Sequence, residues 1–320
     1  MEILEIDNSI RSTFSSCPRK YYYNYLLNLE SKIGKPALRY GTAFHAGMEA
    51  YYEYIRLHGW ARNGKAVEAA LINAKRSFEE ETLKYESFWE DFRTLENLLF
   101  SLIKYFDFFK GDEGFLEVIE PEKAFKIEIT DSKTGEHFFF KGKIDLKVKL
   151  NGRVWGNEFK TSAYPIVTQT KNIQWSNQIL GYTYALMEMA QGEQPDGYLT
   201  TLHQISASKL KSGEYGKLKV EFSRSPQIFS FQDIIEWRKS LIFTVKALKL
   251  AQEENYYPLQ RDNCNQFGQC TYWRLCEQNV PQGEENTEYF QVKEKAWNVL
   301  DTVEPENIVI LKERGTYEKF

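Results

Sequence analysis

The sequence predicts an α/β protein, a mixed central sheet flanked by helices. Three observations carry that prediction. Apolar residues recur at helical spacing through roughly the first hundred positions. The period changes to strand-like alternation after residue 116. Between two alternating stretches lies Leu150-Asn-Gly-Arg153, and Asn-Gly is the strongest short signal for a two-residue type I′ hairpin. A helix, two further strands and a long helix then complete the α/β order.

Residues 8–30 read as a helix interrupted near Pro18, with a basic edge and an apolar face in Arg19-Lys-Tyr-Tyr-Tyr-Asn-Tyr-Leu-Leu27. Residues 38–57 read as a second helix, in which Ala37, Phe44, Met48 and Tyr52 share a side. Two more helices are expected over 60–86 and 91–110, ended by Gly111-Asp-Glu-Gly114. Strands follow at 116–129, 136–150 and 153–160, a helix at about 172–190, strands at 197–205 and 215–222, and a helix at 230–254. Ser206 to Lys217 is polar, basic and glycine-containing, hence an exposed loop. The acidic tail after 280 has no legible period.

With 320 residues the chain can bury a full core, and 42% hydrophobic with 27% charged residues reads as globular. No apolar run is long enough to span a membrane, and the acidic start does not read as a signal peptide, so a cytoplasmic protein is expected. The net charge of −4 excludes a general nucleic-acid coat protein. Contact with nucleic acid would have to run through a local groove.

The hairpin carries the chemistry. With Asn151-Gly152 as the turn, Leu150 faces Arg153, Val148 faces Trp155, Ile144 faces Phe159, and Asp145 falls opposite Glu158. Ile144, Leu146, Val148, Trp155 and Phe159 then point inward, and Lys143, Asp145, Glu158 and Lys160 share the other face. Two carboxylates with Cβ atoms about 5 Å apart destabilise a strand pair. A local rule broken this plainly marks a functional site, and a divalent cation held by both carboxylates would compensate. Lys160 would position the attacking water or screen developing phosphate charge. The alternative is a solvated face of alternating Lys and acid residues, salt-bridged in the ordinary way.

Gly142-Lys-Ile-Asp145 followed by Glu158-Phe-Lys160 resembles the signature of the PD-(D/E)xK nucleases, in particular the RecB-type and Cas4-like exonucleases. The strict Pro-Asp of the wider family is absent, and Gly-x-x-Asp is the RecB-like form. The resemblance implies a restriction-endonuclease-like core in which Asp145, Glu158 and the Phe159 carbonyl bind Mg²⁺ or Mn²⁺. Gly41-Thr-Ala-Phe-His45 resembles the family's upstream Gly-x-x-x-His helix, which makes His45 a further metal ligand and tilts the site towards Mn²⁺. Gln178-Ile-Leu-Gly-Tyr182 resembles its Gln-x-x-x-Tyr helix, with both side chains on one face. Glu122, in Pro121-Glu-Lys-Ala-Phe125, stands where many members carry an acid. The catalytic set implied is Asp145, Glu158, Lys160, Gln178 and Tyr182.

The four cysteines are split, with Cys17 near the N-terminus and Cys264, Cys270 and Cys276 near the C-terminus. Cysteines in a cytosolic protein are more often metal ligands than disulfides. Cys17-Pro-Arg-Lys20 and the Tyr272-Trp-Arg274 before the last cysteine resemble the iron–sulfur staple of AddB-type and Cas4-like nucleases, although the C-x₅-C-x₅-C spacing departs from the commoner C-x₂-C-x₅-C. A 4Fe–4S cluster, zinc and unrelated thiols are the three alternatives.

The resemblance thus implies a nuclease domain over 1–280, with a helical insert at about 60–110, an iron–sulfur region at 17 and 264–276, and an extension at 281–320. The activity implied is metal-dependent hydrolysis of DNA from its ends, in repair, recombination, phage replication or CRISPR adaptation. Partners would be single-stranded DNA or duplex ends, with a helicase, a recombinase or CRISPR adaptation proteins, and no membrane. Arg11, Arg19, Lys20, Lys209, Lys211 and Lys217 are candidates for tracking the strand. A non-catalytic DNA- or partner-binding module on the same fold, and a zinc-stapled protein unrelated to nucleases, are the competing readings.

Overall fold

A computed structural model describes residues 3–190, 194–265, 268–294, 298–314 and 317. Residues 266 and 267, inside the expected 264–276 cysteine region, lie outside the described residues. The chain forms β1 (Glu5–Ile6), α1 (Asn8–Ser16), α2 (Pro18–Tyr21), β2 (Leu29–Ser31), β3 (Ile33–Gly34), α3 (Pro36–His58), α4 (Asn63–Leu83), β4 (Ser87–Phe88) and α5 (Leu95–Phe108). It continues with β5 (Leu116–Thr130), β6 (His137–Leu150), β7 (Arg153–Ser162), α6 (Ile166–Ile173), α7 (Asn177–Met189), β8 (Gly197–Ser206), β9 (Lys219–Gln227) and α8 (Phe231–Glu253). Last come α9 (Trp273–Glu277), β10 (Phe290–Val292) and β11 (Val309–Lys312).

Two compact units result: Ile33–Ala124 with Lys143–Ser230, and Met1–Lys32 with Phe125–Gly142 and Phe231–Phe320. The long strands β5 and β6 pass from one into the other. In the first unit the strand order is β5-β6-β7-β8-β9. β6 and β7 are antiparallel, β7 and β8 parallel, β8 and β9 antiparallel, so the sheet is mixed. In the second unit β1 pairs parallel with β6 and β11 parallel with β5, while β2 and β10 form a separate antiparallel pair.

The first unit is organised by α3. Pro36 opens this helix with its missing N–H at a position that needs no donor, and Gly59, at φ 74°, closes it. Between them Tyr40, Phe44, Met48, Tyr52 and Ile55 make a buried stripe. That stripe packs with Ala66, Ala70 and Ala74 of α4, Leu98, Leu102 and Tyr105 of α5, and Leu146, Val148, Trp155 and Phe159 of the hairpin. Residues 60–110 therefore supply much of this core.

The hairpin turns as its sequence demands. Asn151 and Gly152 both take positive φ, 50° and 78°, as a type I′ turn requires. Leu150 pairs with Arg153 and Val148 with Trp155. Asp7, Thr94 and Ser176 cap α1, α5 and α7, each accepting a backbone N–H.

Four local expectations are corrected. The N-terminal helix breaks at Cys17, as expected near Pro18, but it ends in a π-turn at Tyr22–Leu26 instead of running to residue 30. The expected helix at 172–190 starts only at Asn177, because Ser176 caps it, and a separate α6 precedes it. The strand expected at 215–222 runs from Lys219 to Gln227, because Tyr215 bridges back to Lys209 within the loop. The tail contains β10 and β11, whose partners lie far away in sequence.

Candidate active site and metal centre

The expected site residues are carried by one unit. The regular ladder of the hairpin ends at Leu146–Asn157. One step on, the Phe159 amide donates instead to the Asp145 carboxylate at 2.8 Å, so Asp145 is anchored by the strand that carries Glu158. His45, one residue past the buried Phe44 on α3, places Nδ1 3.4 Å from Asp145 Oδ2. Its ring stands edge-on to that of Phe159, with centroids 6.3 Å apart. Phe159 is itself fixed by stacking on Tyr52.

Glu122 completes a cluster. One ligand atom each from His45, Glu122 and Asp145 lies within 4.8 Å of the others. Glu122 adopts φ 51° within β5, a left-handed conformation that strains a non-glycine residue and is retained at functional positions. Lys143 pairs with it. Glu122 was legible only as an acid of the right neighbourhood, and the kink that aims it inward follows from no local sequence signal beyond the preceding Pro121.

Glu158 is 2% exposed. Its Oε1 accepts from Lys160 Nζ at 2.6 Å and from Gln178 Nε2 at 2.9 Å, and the Gln178 carbonyl oxygen accepts from Lys160 Nζ at 2.9 Å. Gln178 thus clamps the carboxylate and the ammonium together. Among the described residues Glu158 Oε2 is buried with no hydrogen-bond partner, a costly arrangement that calls for a ligand. The clamp depends on Gly156, because a Cβ there would fall 2.3 Å from the Tyr198 ring and 2.7 Å from Leu186 of α7. Tyr182 lies one turn beyond Gln178 and is buried, its ring 6.1 Å from that of Tyr198. Tyr182 therefore lines the core while Gln178 reaches the carboxylate.

Electrostatics follow from crowding charge under partial burial. Burial pushes Glu158 and Glu122 up, the Asp145 charge pushes the same way, and both reach about 7 in spite of their lysines. For His45, burial opposes the proton, but Asp145, Glu158 and Glu122 outweigh it and raise the imidazole to about 9. Asp145 also suffers burial, yet the protonated His45, Lys160 and the Phe159 amide hold it below the usual carboxylate range. Without a cation the site is held together by protons and lysines. The clustered donors, the His45 imidazole and the Glu122 and Asp145 carboxylates, fit a divalent cation, and Glu158 is not among the clustered three.

A family model described as the PD-(D/E)XK nuclease superfamily matches residues 9–277. The chain belongs to the PD-(D/E)XK nuclease superfamily. No curated protein matches it. A solved structure titled "Crystal structure of SSO0001" is similar at 12% identity over 67% of this chain and 77% of its own, with a TM-score of 0.27. That likeness is too loose to carry an argument. No helix among the described residues of this PD-(D/E)XK chain is long and apolar enough to cross a membrane.

The cysteines belong to the other unit. All four are free and half-buried. The Asn263 amide donates to the Ser16 carbonyl at 2.6 Å, and the Cys270 amide to the Cys264 carbonyl at 2.8 Å. Tyr272 hydroxyl donates to the Leu29 carbonyl at 2.7 Å, which brings the last cysteine segment against the chain following Cys17. Burial, then neighbouring Cys17 and Cys270, raise both Cys264 and Cys276, the latter to about 11. Among the described residues no three of the sulfurs lie within 4.8 Å of one another.

Two of the basic residues expected to track a strand are not at the surface. Arg11 and Arg19 are 4% and 8% exposed. Arg19 donates to the Tyr257 carbonyl and faces Glu285, and Arg11 donates to Ser240 and lies over the Trp237 ring. Both guanidinium groups bind protein groups, which a basic residue in a helical pattern does not disclose. Lys209, Lys211 and Lys217 are exposed.

Proposed function

We propose that this protein is a metal-dependent deoxyribonuclease of the RecB/Cas4-like type that degrades DNA from its ends. The observation that carries the reading is the convergence of His45, Glu122 and Asp145, with the unsatisfied Glu158 oxygen and Lys160 on the same hairpin. His45, Glu122, Asp145, Glu158 and the Phe159 carbonyl would hold Mn²⁺ or Mg²⁺. When bound, the cation supplies Lewis-acid neutralisation of charge on the scissile phosphate. The remaining work belongs to the chain. Asp145 is held in place by the Phe159 amide. Gln178 fixes Glu158 and Lys160 in one geometry. Lys160, held beside Glu158 and Gln178, would orient water for in-line attack and screen charge developing on phosphate oxygen. Tyr182 supports the helix that carries Gln178.

Metal binding must displace protons from His45, Glu122 and Glu158. Affinity for Mn²⁺ should therefore rise from about pH 6 to about pH 9, with net proton release. Calorimetric titration in buffers of different ionisation enthalpy reads both quantities. A flat affinity with no proton release contradicts the site. Nuclease function itself is tested by degradation of end-labelled DNA with each metal and with EDTA.

In the other unit we propose that Cys17, Cys264, Cys270 and Cys276 hold a 4Fe–4S cluster that closes the chain into a ring. The one-plus-three split of the cysteines along the chain supports this. Closing so long a loop restrains the unfolded chain. Cys270→Ser should lose the brown colour of anaerobically purified protein and melt at lower temperature. Unchanged iron content and melting temperature count against the cluster. We take 1–280 as the nuclease domain and 281–320 as an extension; a helicase, recombinase or CRISPR adaptation proteins are the partners such a nuclease would serve.

A further inference from the structure

We propose that Arg224, with Asp112 and Thr201, is a positioning device that braces the Asn157–Phe159 segment of β7 from behind, so that Glu158 and the Phe159 carbonyl keep their places at the cation. The inference rests on the nuclease reading above and extends it to residues on the opposite face of the sheet.

Strand alternation puts Glu158 and Lys160 on one face of β7 and Asn157 and Phe159 on the other. β8 and β9 continue that second row, since Phe159 stands in register with Thr201, and Thr201 with Arg224. From β9 the Arg224 guanidinium reaches back in two directions. Its Nε donates to Thr201 Oγ1 at 3.1 Å, and that hydroxyl donates to Asn157 Oδ1 at 2.7 Å. Its Nη2 donates to the Tyr105 hydroxyl at 3.3 Å, which lies 2.9 Å from the Tyr52 hydroxyl. The Tyr52 ring in turn stacks on Phe159, with centroids 5.8 Å apart. The two arms therefore end on the residues either side of Glu158.

The guanidinium is itself fixed. Nη1 and Nη2 each donate to one oxygen of Asp112, both at 2.9 Å, and the group lies 4.2 Å over the Phe109 ring. Asp112 sits in the 3-10 turn Lys110–Gly114 that joins α5 to β5. The Arg224 and Asp112 side chains are 12% and 4% exposed, and Tyr52, Tyr105, Asn157 and Thr201 are buried. A buried ion pair adds little stability over apolar residues of the same volume, because desolvation offsets the attraction. Direction is what it supplies. A planar fork that satisfies Asp112, Thr201 and Tyr105 together admits one arrangement, which the single point charge of a lysine would not enforce. Groups that orient a metal ligand from behind are worth roughly 10- to 100-fold in metal affinity or activity.

The test compares Thr201→Val, which cuts the Asn157 arm and leaves Asp112 on Arg224, with Thr201→Ser, which keeps the hydroxyl. A third protein, Arg224→Met/Asp112→Leu, replaces the ion pair by apolar groups. Mn²⁺ affinity is read by titration calorimetry, strand rigidity by hydrogen exchange of residues 157–160 in EDTA, stability by melting temperature, and kcat and KM by cleavage of end-labelled DNA with Mn²⁺. Thr201→Val should lower Mn²⁺ affinity and kcat by roughly 10- to 100-fold, leave KM for DNA nearly unchanged and speed exchange at 157–160. Thr201→Ser should restore all of these. The double variant should melt close to wild type or above it and still show the same losses, a separation that a merely structural role does not produce. Wild-type Mn²⁺ affinity and exchange in Thr201→Val or in the folded double variant overturns the brace, and so does a Thr201→Ser as impaired as Thr201→Val. The Thr201 pair decides by itself should the double variant not fold. Absence of cleavage by wild type with any metal contradicts the nuclease reading instead, and losses of affinity and rigidity that Thr201→Ser recovers then still support the brace.

Discussion

Replacing Glu158 by glutamine should all but abolish cleavage and at the same time raise the melting temperature of the metal-free protein near neutral pH. Burial and the Asp145 charge push the Glu158 carboxyl up to about 7. A carboxyl raised in the folded state contributes its full stability below its unfolded pKa, and that contribution is lost as pH rises through about 7. Near neutrality the ionised group burdens the fold, and glutamine removes the charge while still accepting from Lys160 and donating or accepting at Gln178. The same change removes the orphaned oxygen that a cation would use. Turnover should fall at least about 10²–10³-fold, the scale of losing one preorganised stabilising group. Scanning calorimetry in EDTA and an end-labelled DNA assay read the two effects. A lower melting temperature near neutral pH, or retained turnover, counts against this assignment. Loss of function with gain of stability is the pattern of a site that stores charge for a ligand.

Lys160→Ala separates binding from chemistry. The ammonium lies between Glu158 and Gln178 and is not a metal ligand. Cleavage should drop by roughly 10²–10⁴-fold, the range for a positioned charge or proton-handling group. Mn²⁺ affinity should hold or increase, because the cation no longer competes with the ammonium for Glu158. Titration calorimetry and single-turnover cleavage on the same preparation decide it. Equal loss in metal affinity and in rate would make Lys160 a scaffold for the carboxylate and remove it from the chemistry.

The parts of this site that were legible in the sequence are those set by local geometry. Asn151-Gly152 can adopt only a few conformations, and the type I′ turn dictates the pairing as far as Leu146 and Asn157. His45 and Gln178 were legible only through the resemblance of Gly41-Thr-Ala-Phe-His45 and Gln178-Ile-Leu-Gly-Tyr182 to the family's helices. The parts that were not legible depend on contacts distant in sequence. The positive φ of Glu122 makes sense only beside His45 and Asp145. β11 finds β5 across some 180 positions of chain, and a parallel partner at that separation leaves no trace in a single strand's pattern. The burial of Arg11 and Arg19 depends on Ser240, Trp237 and Tyr257, none of which a helical reading of residues 8–30 includes. Trp175 was absorbed into an expected helix starting at 172, although Ser176 is a good cap and could have marked the break.

The carboxylates of one hairpin, with His45 and Glu122, are proposed to hold a divalent cation and support DNA cleavage. The most direct measurement is the degradation of end-labelled single- and double-stranded DNA by wild type and Glu158→Gln, each with Mn²⁺, with Mg²⁺ and with EDTA. Wild type should cleave, EDTA should stop cleavage and Mn²⁺ should restore it, and Glu158→Gln should show none under any condition. Cleavage by Glu158→Gln at the wild-type rate, or wild-type cleavage that survives EDTA, would contradict it.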